Sequence, residues 1–485
     1  MIRRGMMADA GKREGGRGKG GLRQSRDVSR FPFPVSRAAL SLVLTAMLAL
    51  AACKPGVGKT AYVGAEVFDG TGAPLLLDAV ILVSMDGHIE AIGTPDQVPI
   101  PRGATEIRLD GKWVIPGLID AHTHAEAWTL SRYVAYGVTS IRDVGGDQQT
   151  VMNLRDQVLL GGILGPRMYV SGAVIDGPSP TRETATSVST PTEARRAIDQ
   201  LTLLEATQAK IYTKITRRLL RPLMDEAGEL LLPVTGHLGK VDAVTAARFG
   251  VKTLEHMTGV VEAASSNPGR YYAAHNSFFR GWNLVERSWS ELDSATSDRI
   301  AHQLIELSVR IVPTLILHET WAHLLDSRYT ERLDLSGVPD SIQEAWNVPG
   351  LVRRAGITTA DFRAFRRSRS AQNRFVRIYH RAGGTVAAGS DSPNQLLAPG
   401  ASLHDEMAML VRAGLLPRDA LLAATRNVAH LLEADSIGVI RAGAVADFVV
   451  LDANPLEDIQ NTQRINRVVL RGTAYLPEDF QEGWQ

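Results

Sequence analysis

The pattern of apolar and polar residues changes twice along the chain, and each change marks a different kind of predicted structure. In residues 61–115, short apolar runs alternate with turn dipeptides such as Asp69-Gly70 and Asp110-Gly111, which favours a small antiparallel β unit. The same pattern returns in residues 433–478, where apolar runs flank a turn-rich segment. We expect these two terminal segments to pair into one β-sandwich domain.

Between them, in residues 116–432, helical stretches alternate with short apolar runs. These runs lie at residues 138–143, 210–212, 232–236, 253–255, 310–317 and 385–389. Repeated βα units imply a parallel sheet, so the predicted fold class is α/β, with a (β/α)8 TIM-type barrel in this part of the chain. The segments 258–291 and 320–359 are predicted insertions over the barrel mouth. The first contains Phe278, Phe279, Trp282 and Trp289, which could line an apolar pocket or pack the insertion itself.

The first 53 residues have the pattern of a bacterial lipoprotein signal peptide. Residues 1–37 hold ten Lys/Arg and three Asp/Glu, and the apolar run that follows is shorter than the roughly 20 residues of a membrane span. It ends in Leu50-Ala51-Ala52-Cys53, which resembles the lipobox, in which the cysteine is acylated. The alternative is a free cysteine after a buried apolar helix.

Cys53 is the only cysteine of the chain, so a disulfide within the chain is excluded. We therefore expect lipidation of Cys53, a tether over residues 54–60, and a lipid-anchored location in the bacterial cell envelope, facing the periplasm or the cell surface. A lipid bilayer, contacted through acylated Cys53, is then one partner.

The remaining composition fits a globular protein without a nucleic-acid partner. The 485 residues are 44% hydrophobic, enough for a large core. Basic and acidic residues number 53 and 52, and after residue 37 the acidic ones are in excess. No basic stripe is left for a nucleic acid.

One apolar strand, in residues 116–124, ends in a His-x-His pair. Side chains on a strand repeat every two residues, so His122 and His124 face the same side, and imidazole is a favoured ligand of zinc. The pair alone is equally compatible with two exposed histidines. Three further polar residues lie where predicted barrel strands end: His237, His256 and Asp391. Because these strand ends face the barrel mouth, the five residues together predict a metal site there.

The motifs that contain these residues resemble the amidohydrolase superfamily. They are Pro-Gly-Leu-Ile-Asp-Ala-His-Thr-His at 116–124, the strand-end histidines, Gly-Ser-Asp-Ser at 389–392, and the segments 400–406, 424–427 and 443–451. The resemblance covers about residues 61–472 and is to the branch that includes imidazolonepropionase-like enzymes and prolidase-like, Xaa-Pro dipeptidase-related enzymes. It implies a hydrolase that cleaves a carbon–nitrogen bond, in an amide, cyclic amide or dipeptide, by metal-activated water.

The resemblance also implies a set of metal ligands. His122, His124 and Asp391 would bind one ion, and His237 and His256 a second. Lys210 matches the carboxylated lysine that bridges the two ions in binuclear members. Lys214 is a rival for this role, and the residues before Lys210 depart from the Gly-Ala-Asp common in relatives. We expect two divalent ions, with zinc favoured by the ligand types, or one ion if Lys210 is not carboxylated.

Asp391 is also the expected catalytic residue, which takes the proton of the water and passes it to the leaving nitrogen. Tyr212, Arg142 and His318 each end or follow a predicted strand and could contact the substrate. The alternatives are barrel packing for Tyr212 and an ion pair with Asp143 for Arg142.

The expected substrate is a small amide or peptide-like molecule. A lactonase or phosphotriesterase activity of the same metal centre stays open, as do a non-catalytic metal-binding lipoprotein and a homo-oligomer.

Overall fold

The structure is a computed structural model in which residues 56–481 are described. The predicted signal peptide and Cys53 lie outside the described residues. Within residues 56–481, no helix combines the length and the apolar character that crossing a membrane requires. The first strand begins at Thr60, the last residue of the predicted tether.

The strands of the described chain are β1 Thr60–Val67, β2 Leu76–Val83, β3 Ile89–Gly93, β4 Thr105–Arg108, β5 Trp113–Pro116, β6 Leu118–Thr123, β7 Val138–Asp143, β8 Arg167–Val170, β9 Ile175–Asp176, β10 Thr186–Ser187, β11 Ala209–Ile211, β12 Val234–Gly236, β13 Thr253–Glu255, β14 Arg310–Val312, β15 Thr385–Val386, β16 Phe448–Leu451, β17 Ile465–Leu470 and β18 Thr473–Tyr475.

The α-helices are α1 Thr129–Ala135, α2 Gln148–Leu159, α3 Pro191–Leu203, α4 Arg217–Glu229, α5 Ala243–Arg248, α6 Val260–Ala264, α7 Gly269–Ala274, α8 Phe278–Ser288, α9 Ser294–Glu306, α10 Leu315–His323, α11 Ser327–Thr330, α12 Asp340–Trp346, α13 Val348–Ala355, α14 Thr359–Arg381, α15 Ala401–Ala413, α16 Pro417–Ala423 and α17 Arg426–Leu431. Short 3-10 helices lie at Trp289–Glu291, Ile459–Gln463 and Pro477–Phe480.

The largest sheet contains strands from both terminal segments. Its order is β18-β17-β16-β5-β1-β2-β3, with β4 paired to β1. The antiparallel pairing of β5 with β16, in which Ile115 lies opposite Val449, joins the two ends of the chain. Tyr62 of β1 packs edge-on against Phe448 of β16, with ring centroids 5.0 Å apart. The division of the chain into domains, and a sandwich around this sheet, stay predictions.

The middle of the chain forms two parallel sheets. One has the order β6-β7-β8, and the other has the order β10-β9-β11-β12-β13-β14-β15. Two backbone hydrogen bonds link the sheets: the N–H of Ala121 donates to the carbonyl of Ala388, and that of Thr207 to the carbonyl of Val170, each at 2.9 Å. Parallel strands alternating with helices confirm the predicted α/β class.

The parallel strands that carry the site are buried along their whole length. Every residue of β6, β7, β11, β12 and β13 is buried. Strands of parallel sheets are covered on both faces, which explains why they appear in the sequence as continuous apolar runs. A polar side chain within or directly after one of these strands is therefore held in a fixed, largely dry position.

The segment 310–317 differs from its prediction as one apolar strand. The strand β14 ends at Val312, and the helix α10 begins at Leu315 after Thr314, whose φ is 45°. An oxygen of the buried Glu406 side chain accepts a hydrogen bond from the N–H of Ile316 at 2.7 Å and so caps the helix. His318 therefore lies on a helix and not at a strand end, because a short apolar run does not distinguish strand from helix by its periodicity.

Candidate active site

The His-x-His pair and Asp391 meet at the end of β6. His122 lies within this strand and His124 directly follows it. The Asp391 Oδ1 atom lies 3.1 Å from the Nε2 atoms of both His122 and His124. Asp391 has a φ of 61°, a left-handed conformation that aspartate tolerates and that is found at functional sites. The three side chains thus turn their donor atoms toward one point.

His237 and His256 directly follow β12 and β13 and complete a cluster of imidazoles. The ring of His256 lies 4.7 Å from that of His237 and 4.4 Å from that of His122, measured between centroids. His256 Nδ1 hydrogen-bonds the Thr314 hydroxyl at 2.7 Å. The Nε2 atom of His237 is buried and has no hydrogen-bond partner. A buried nitrogen without a partner needs a ligand, which a cation at this point would supply.

Two residues outside this cluster orient the His-x-His pair. The Nδ1 atom of His122 lies 2.6 Å from Glu255 Oε2, and the Nδ1–H of His124 donates to the carbonyl of Gly145 at 2.5 Å. With the proton on Nδ1, the Nε2 lone pair of each ring faces Asp391.

Glu255 was missed by the sequence reasoning, although it is the polar residue of β13 directly before His256. Its carboxylate also accepts hydrogen bonds from the Thr235 hydroxyl and, at 2.8 Å, from Arg142. Arg142 donates in addition to the carbonyl of Ala121 at 2.9 Å and does not line the cavity over the site. Its guanidinium is paired with Glu255 in the buried core, and its contact with substrate stays a prediction.

Lys210 lies within β11 and is 1% exposed, and it lines the same cavity as the histidines. Burial lowers the pKa of its ammonium group to about 8, although the nearby charge of Glu255 opposes this. Lys214 instead donates from Nζ to the carbonyl of Ser179 and does not line the cavity. Of the two lysines, the structure brings Lys210 to the histidine cluster.

The protonation states of the cluster suit a metal ion. Burial, with the charge of Lys210, lowers the pKa of His237 well below its usual value, and burial with the charge of His122 does the same for His256. Burial would raise the pKa of Asp391, but the neighbouring imidazoles, above all that of His122, outweigh it and hold this pKa well below the usual range. Neutral imidazoles and an ionised carboxylate are the forms that bind divalent metals.

The geometry fits a divalent cation as well. Donor atoms of His122, His256 and Asp391 all lie within 4.8 Å of one another. Nitrogen and carboxylate oxygen are the ligands that zinc accepts.

A cavity of about 340 Å³ opens over the cluster. Phe278, Phe279 and Trp282 line it, as the sequence suggested, whereas Trp289 packs against Phe375 in the core. Tyr212 also lines the cavity, so its position is compatible with a substrate contact.

His318 does not line the cavity. Its ring is stacked behind Trp282 at 5.4 Å, and its Nδ1 atom lies 2.8 Å from Glu286. Helix α10 places the His318 side chain behind this tryptophan, and its contact with substrate stays a prediction. The sequence reasoning also missed two arginines that do line the cavity, Arg182 and Arg354.

Comparison with known proteins places the chain among enzymes of one family. The model of the amidohydrolase family matches residues 113–474. The structure is similar to that of a Bifidobacterium longum protein assigned as a prolidase (TM-score 0.66, 24% identity, covering 89% of this chain and 100% of that one). It is also similar to bottromycin amidohydrolase (TM-score 0.67, 22% identity, covering 90% and 91%).

Among curated sequences, an uncharacterized protein of Mycobacterium tuberculosis is 34% identical over 154 residues. This match covers 28% of the present chain and 22% of the mycobacterial protein, so the chain spans about a fifth of the length of this relative.

Proposed function

Because the chain belongs to the amidohydrolase family, whose members hydrolyse carbon–nitrogen bonds, we propose that it is a metal-dependent amide hydrolase acting on a small amide or peptide-like substrate. One observation carries the metal dependence: donor atoms of His122, His256 and Asp391, which come from distant parts of the chain, lie within 4.8 Å of one another. They form the floor of the cavity.

The proposed centre takes two divalent ions, with zinc favoured by the donor types. The residues that would hold them are His122, His124, Lys210, His237, His256 and Asp391. The bridging role of Lys210 requires that its amine add carbon dioxide to form a carbamate. Support comes from its buried position in the cavity beside the histidines. If Lys210 is not carboxylated, the centre holds one ion.

Divalent ions at this position supply Lewis acidity, which lowers the pKa of water and polarises the carbonyl under attack. The side chains of the site transfer the proton and hold the imidazoles in position. Asp391, ionised and facing the cavity, accepts the proton of the attacking water and then donates it to the leaving nitrogen. The water oxygen bonds to the carbonyl carbon, the carbon–nitrogen bond breaks, and the products are a carboxylic acid and an amine. Glu255 and Thr314 keep the imidazoles of His122 and His256 in place.

The proposal includes two structural expectations. The parallel sheets close into one (β/α)8 barrel, which the hydrogen bonds from Ala121 to Ala388 and from Thr207 to Val170 support. The enzyme is held at a bilayer of the bacterial envelope through acylated Cys53, which the pattern of residues 38–53 supports.

The test is an activity panel for the full-length, zinc-loaded chain with matched amide, lactone and phosphotriester substrates. We expect turnover of amides, lost on chelation and restored by zinc. Faster turnover of lactones or phosphotriesters than of every amide would support the alternative activities of the same centre. Absence of turnover in all three classes, with less than one ion bound per chain, would support a non-catalytic protein.

A further inference from the structure

One face of helix α14 carries six arginines and no acidic residue. Their spacing follows the helical repeat, so they lie within about 100° of one another around the helix axis. The count of charges after residue 37 did not predict such a surface, because a total does not show how charges are distributed. We name this surface the arginine stripe, and its residues are Arg363, Arg366, Arg367, Arg374, Arg377 and Arg381.

The opposite face of α14 is buried and fixes the orientation of the helix. Phe365, Phe375 and Tyr379 on that face are fully buried. The Tyr379 ring is stacked on Phe375 with centroids 6.0 Å apart, and its hydroxyl donates to the carbonyl of Val309 at 2.5 Å. Four stripe residues are therefore held exposed to solvent, and two, Arg374 and Arg377, are half-buried.

The stripe has no carboxylate partner within the described part of the chain. Among residues 56–481, none of its six guanidinium groups forms an ion pair within 4.0 Å. The acids nearest to α14 are paired with other cations: Asp361 with Arg287, Glu319 with the buried Arg369 at 2.8 Å, and Asp419 with His380 at 3.3 Å. The positive charge of the stripe is thus largely uncompensated.

Three of the six guanidinium groups donate to backbone carbonyls: Arg366 to Ala322 at 3.1 Å, Arg374 to Leu292, and Arg377 to Ala413 at 3.5 Å. Asp293, at the start of α9, also lies near enough to Arg374 to interact with its charge. A carbonyl does not neutralise a guanidinium, and like charges three or four residues apart on a helix repel one another. An anionic partner along the stripe would remove this repulsion.

The length of the stripe indicates an extended partner. From Arg363 to Arg381 it runs about 27 Å, at 1.5 Å per residue. A single small anion would contact one or two of the six guanidinium groups, whereas a bilayer presents phosphate groups along the whole stripe. Clusters of roughly four to eight Lys or Arg at a membrane surface are typical of sites that bind anionic phospholipids.

Nucleic acid is the competing polyanion, and two observations favour the bilayer. All aromatic residues of α14 are buried, so the stripe offers no ring on which a base could stack. The proposed acylation of Cys53 already brings the chain to a bilayer, and stable attachment through lipid generally takes a second signal, such as a basic patch.

From these features we propose that the arginine stripe docks α14 lengthwise on an anionic phospholipid bilayer, as a second membrane contact besides Cys53. This inference goes beyond amide hydrolysis and uses no property of the cavity. Because none of the six arginines is among the described residues that line the cavity, docking along the stripe leaves the cavity open to a soluble substrate.

A single thiol on the stripe tests whether α14 itself meets the bilayer. Ser370 is exposed among the stripe residues, and Cys53 is the only cysteine, so the full-length chain with Cys53→Ser and Ser370→Cys has one thiol and no acylation site. Gln200→Cys, on the exposed face of α3 in the same Cys53→Ser chain, is the matched control. The rate of reaction with an uncharged polyethylene glycol maleimide reports how far a bilayer covers each thiol.

We expect vesicles that contain phosphatidylglycerol to slow the reaction of Ser370→Cys by at least about 10-fold, since each arginine near an anionic surface adds about 5-fold in affinity. Pure phosphatidylcholine vesicles should leave the rate unchanged, and Gln200→Cys should react equally with both. Salt at about 1 M, which screens charges beyond about 3 Å, should abolish the protection.

Two triple variants of the Ser370→Cys chain assign the effect to the stripe. Arg363, Arg367 and Arg381 are exposed and form no ion pair or side-chain hydrogen bond with described residues, so their replacement by glutamine removes charge without removing a contact. This variant should bind the anionic vesicles about 100-fold more weakly and lose the protection. The control removes three exposed arginines of other surfaces that also form none, and it should keep the protection: Arg102→Gln, Arg196→Gln and Arg248→Gln.

Residues 1–37 are basic as well but are the same in every variant, so a difference between the triple variants comes from α14. Equal rates for Ser370→Cys with both kinds of vesicle, or equal protection in both triple variants, would overturn the inference. Protection by double-stranded DNA but not by anionic vesicles would overturn it in favour of a nucleic-acid surface. Since every chain carries Cys53→Ser, the result does not depend on acylation.

Discussion

Replacing Glu255 by glutamine tests how the buried core beside the candidate metal centre supports it. The Glu255 side chain is fully buried and binds three groups: His122 Nδ1 at 2.6 Å, Arg142 at 2.8 Å and the Thr235 hydroxyl. Glutamine has nearly the same shape but no charge, and only its amide oxygen can accept a hydrogen bond. The substitution therefore leaves Arg142 as a buried cation without its counter-charge and disturbs the tautomer of His122.

The substitution should therefore lower two quantities, the free energy of unfolding and the affinity for zinc. Breaking a buried ion pair by removing one partner costs about 3–5 kcal/mol, so the free energy of unfolding of the metal-free protein should fall by that amount. Removing the hydrogen-bond partner of a metal-binding histidine typically weakens metal affinity by about 10- to 100-fold. Denaturant unfolding measures the first, and titration with zinc against a competing chelator measures the second.

Glu226→Gln serves as the control, because Glu226 also pairs with an arginine, Arg195 at 3.2 Å, on the protein surface. Its loss of stability should stay below about 1 kcal/mol, with zinc affinity unchanged. The double variant Glu255→Leu, Arg142→Met should recover much of the stability but not the zinc affinity, since an apolar pair can replace a buried ion pair but cannot orient His122. Equal effects of Glu255→Gln and Glu226→Gln, or unchanged zinc affinity in Glu255→Gln, would refute this reasoning.

Three further predictions concern single side chains. Asp391→Asn should lower kcat by at least about 100-fold while much of the metal stays bound, since the amide cannot take the proton of water; steady-state rates close to those of the parent would contradict this role. Lys210→Ala should lower the bound metal measured by elemental analysis, and Lys214→Ala should not; the opposite result would move the bridging role to Lys214. Burial raises the pKa of the Glu406 carboxyl to about 8 in the folded chain, well above that of an exposed glutamate, so the folded state holds this proton more tightly. Stability should therefore fall as pH rises from about 5 to 8. Glu406→Gln should make denaturant unfolding less dependent on pH over that range, whereas parallel pH profiles for parent and variant would show that Glu406 does not titrate there.

The α/β class and the family could be predicted because the relevant signals are local. Strands such as β6 and β7 are buried throughout, so each appears as a continuous apolar run, and the motif at residues 116–124 lies within ten residues of sequence. Segment 310–317 shows the limit of such signals. Its apolar residues suit a strand or a helix equally, and the helix α10 is capped by Glu406, 90 residues away from Ile316.

The supporting residues of the site could not be predicted from local patterns. Glu255 acts through His122 and Arg142, which are 133 and 113 residues away along the chain. Arg182 lies outside any recognised motif and gains its position from the fold, next to Tyr212. For such residues the sequence shows only a charged side chain near a strand, a pattern that is also common for solvated surface groups.

The anomalous X-ray scattering of a crystal grown with zinc tests the central proposal most directly. The proposal predicts two strong peaks at the cavity floor, each within about 2.0–2.3 Å of ligand atoms from His122, His124, His237, His256 and Asp391, with electron density for a carbamate on Lys210 between them. One peak and an unmodified Lys210 would reduce the centre to a single ion. No peak at these side chains, in a crystal whose zinc lies elsewhere, would contradict a metal-dependent hydrolase.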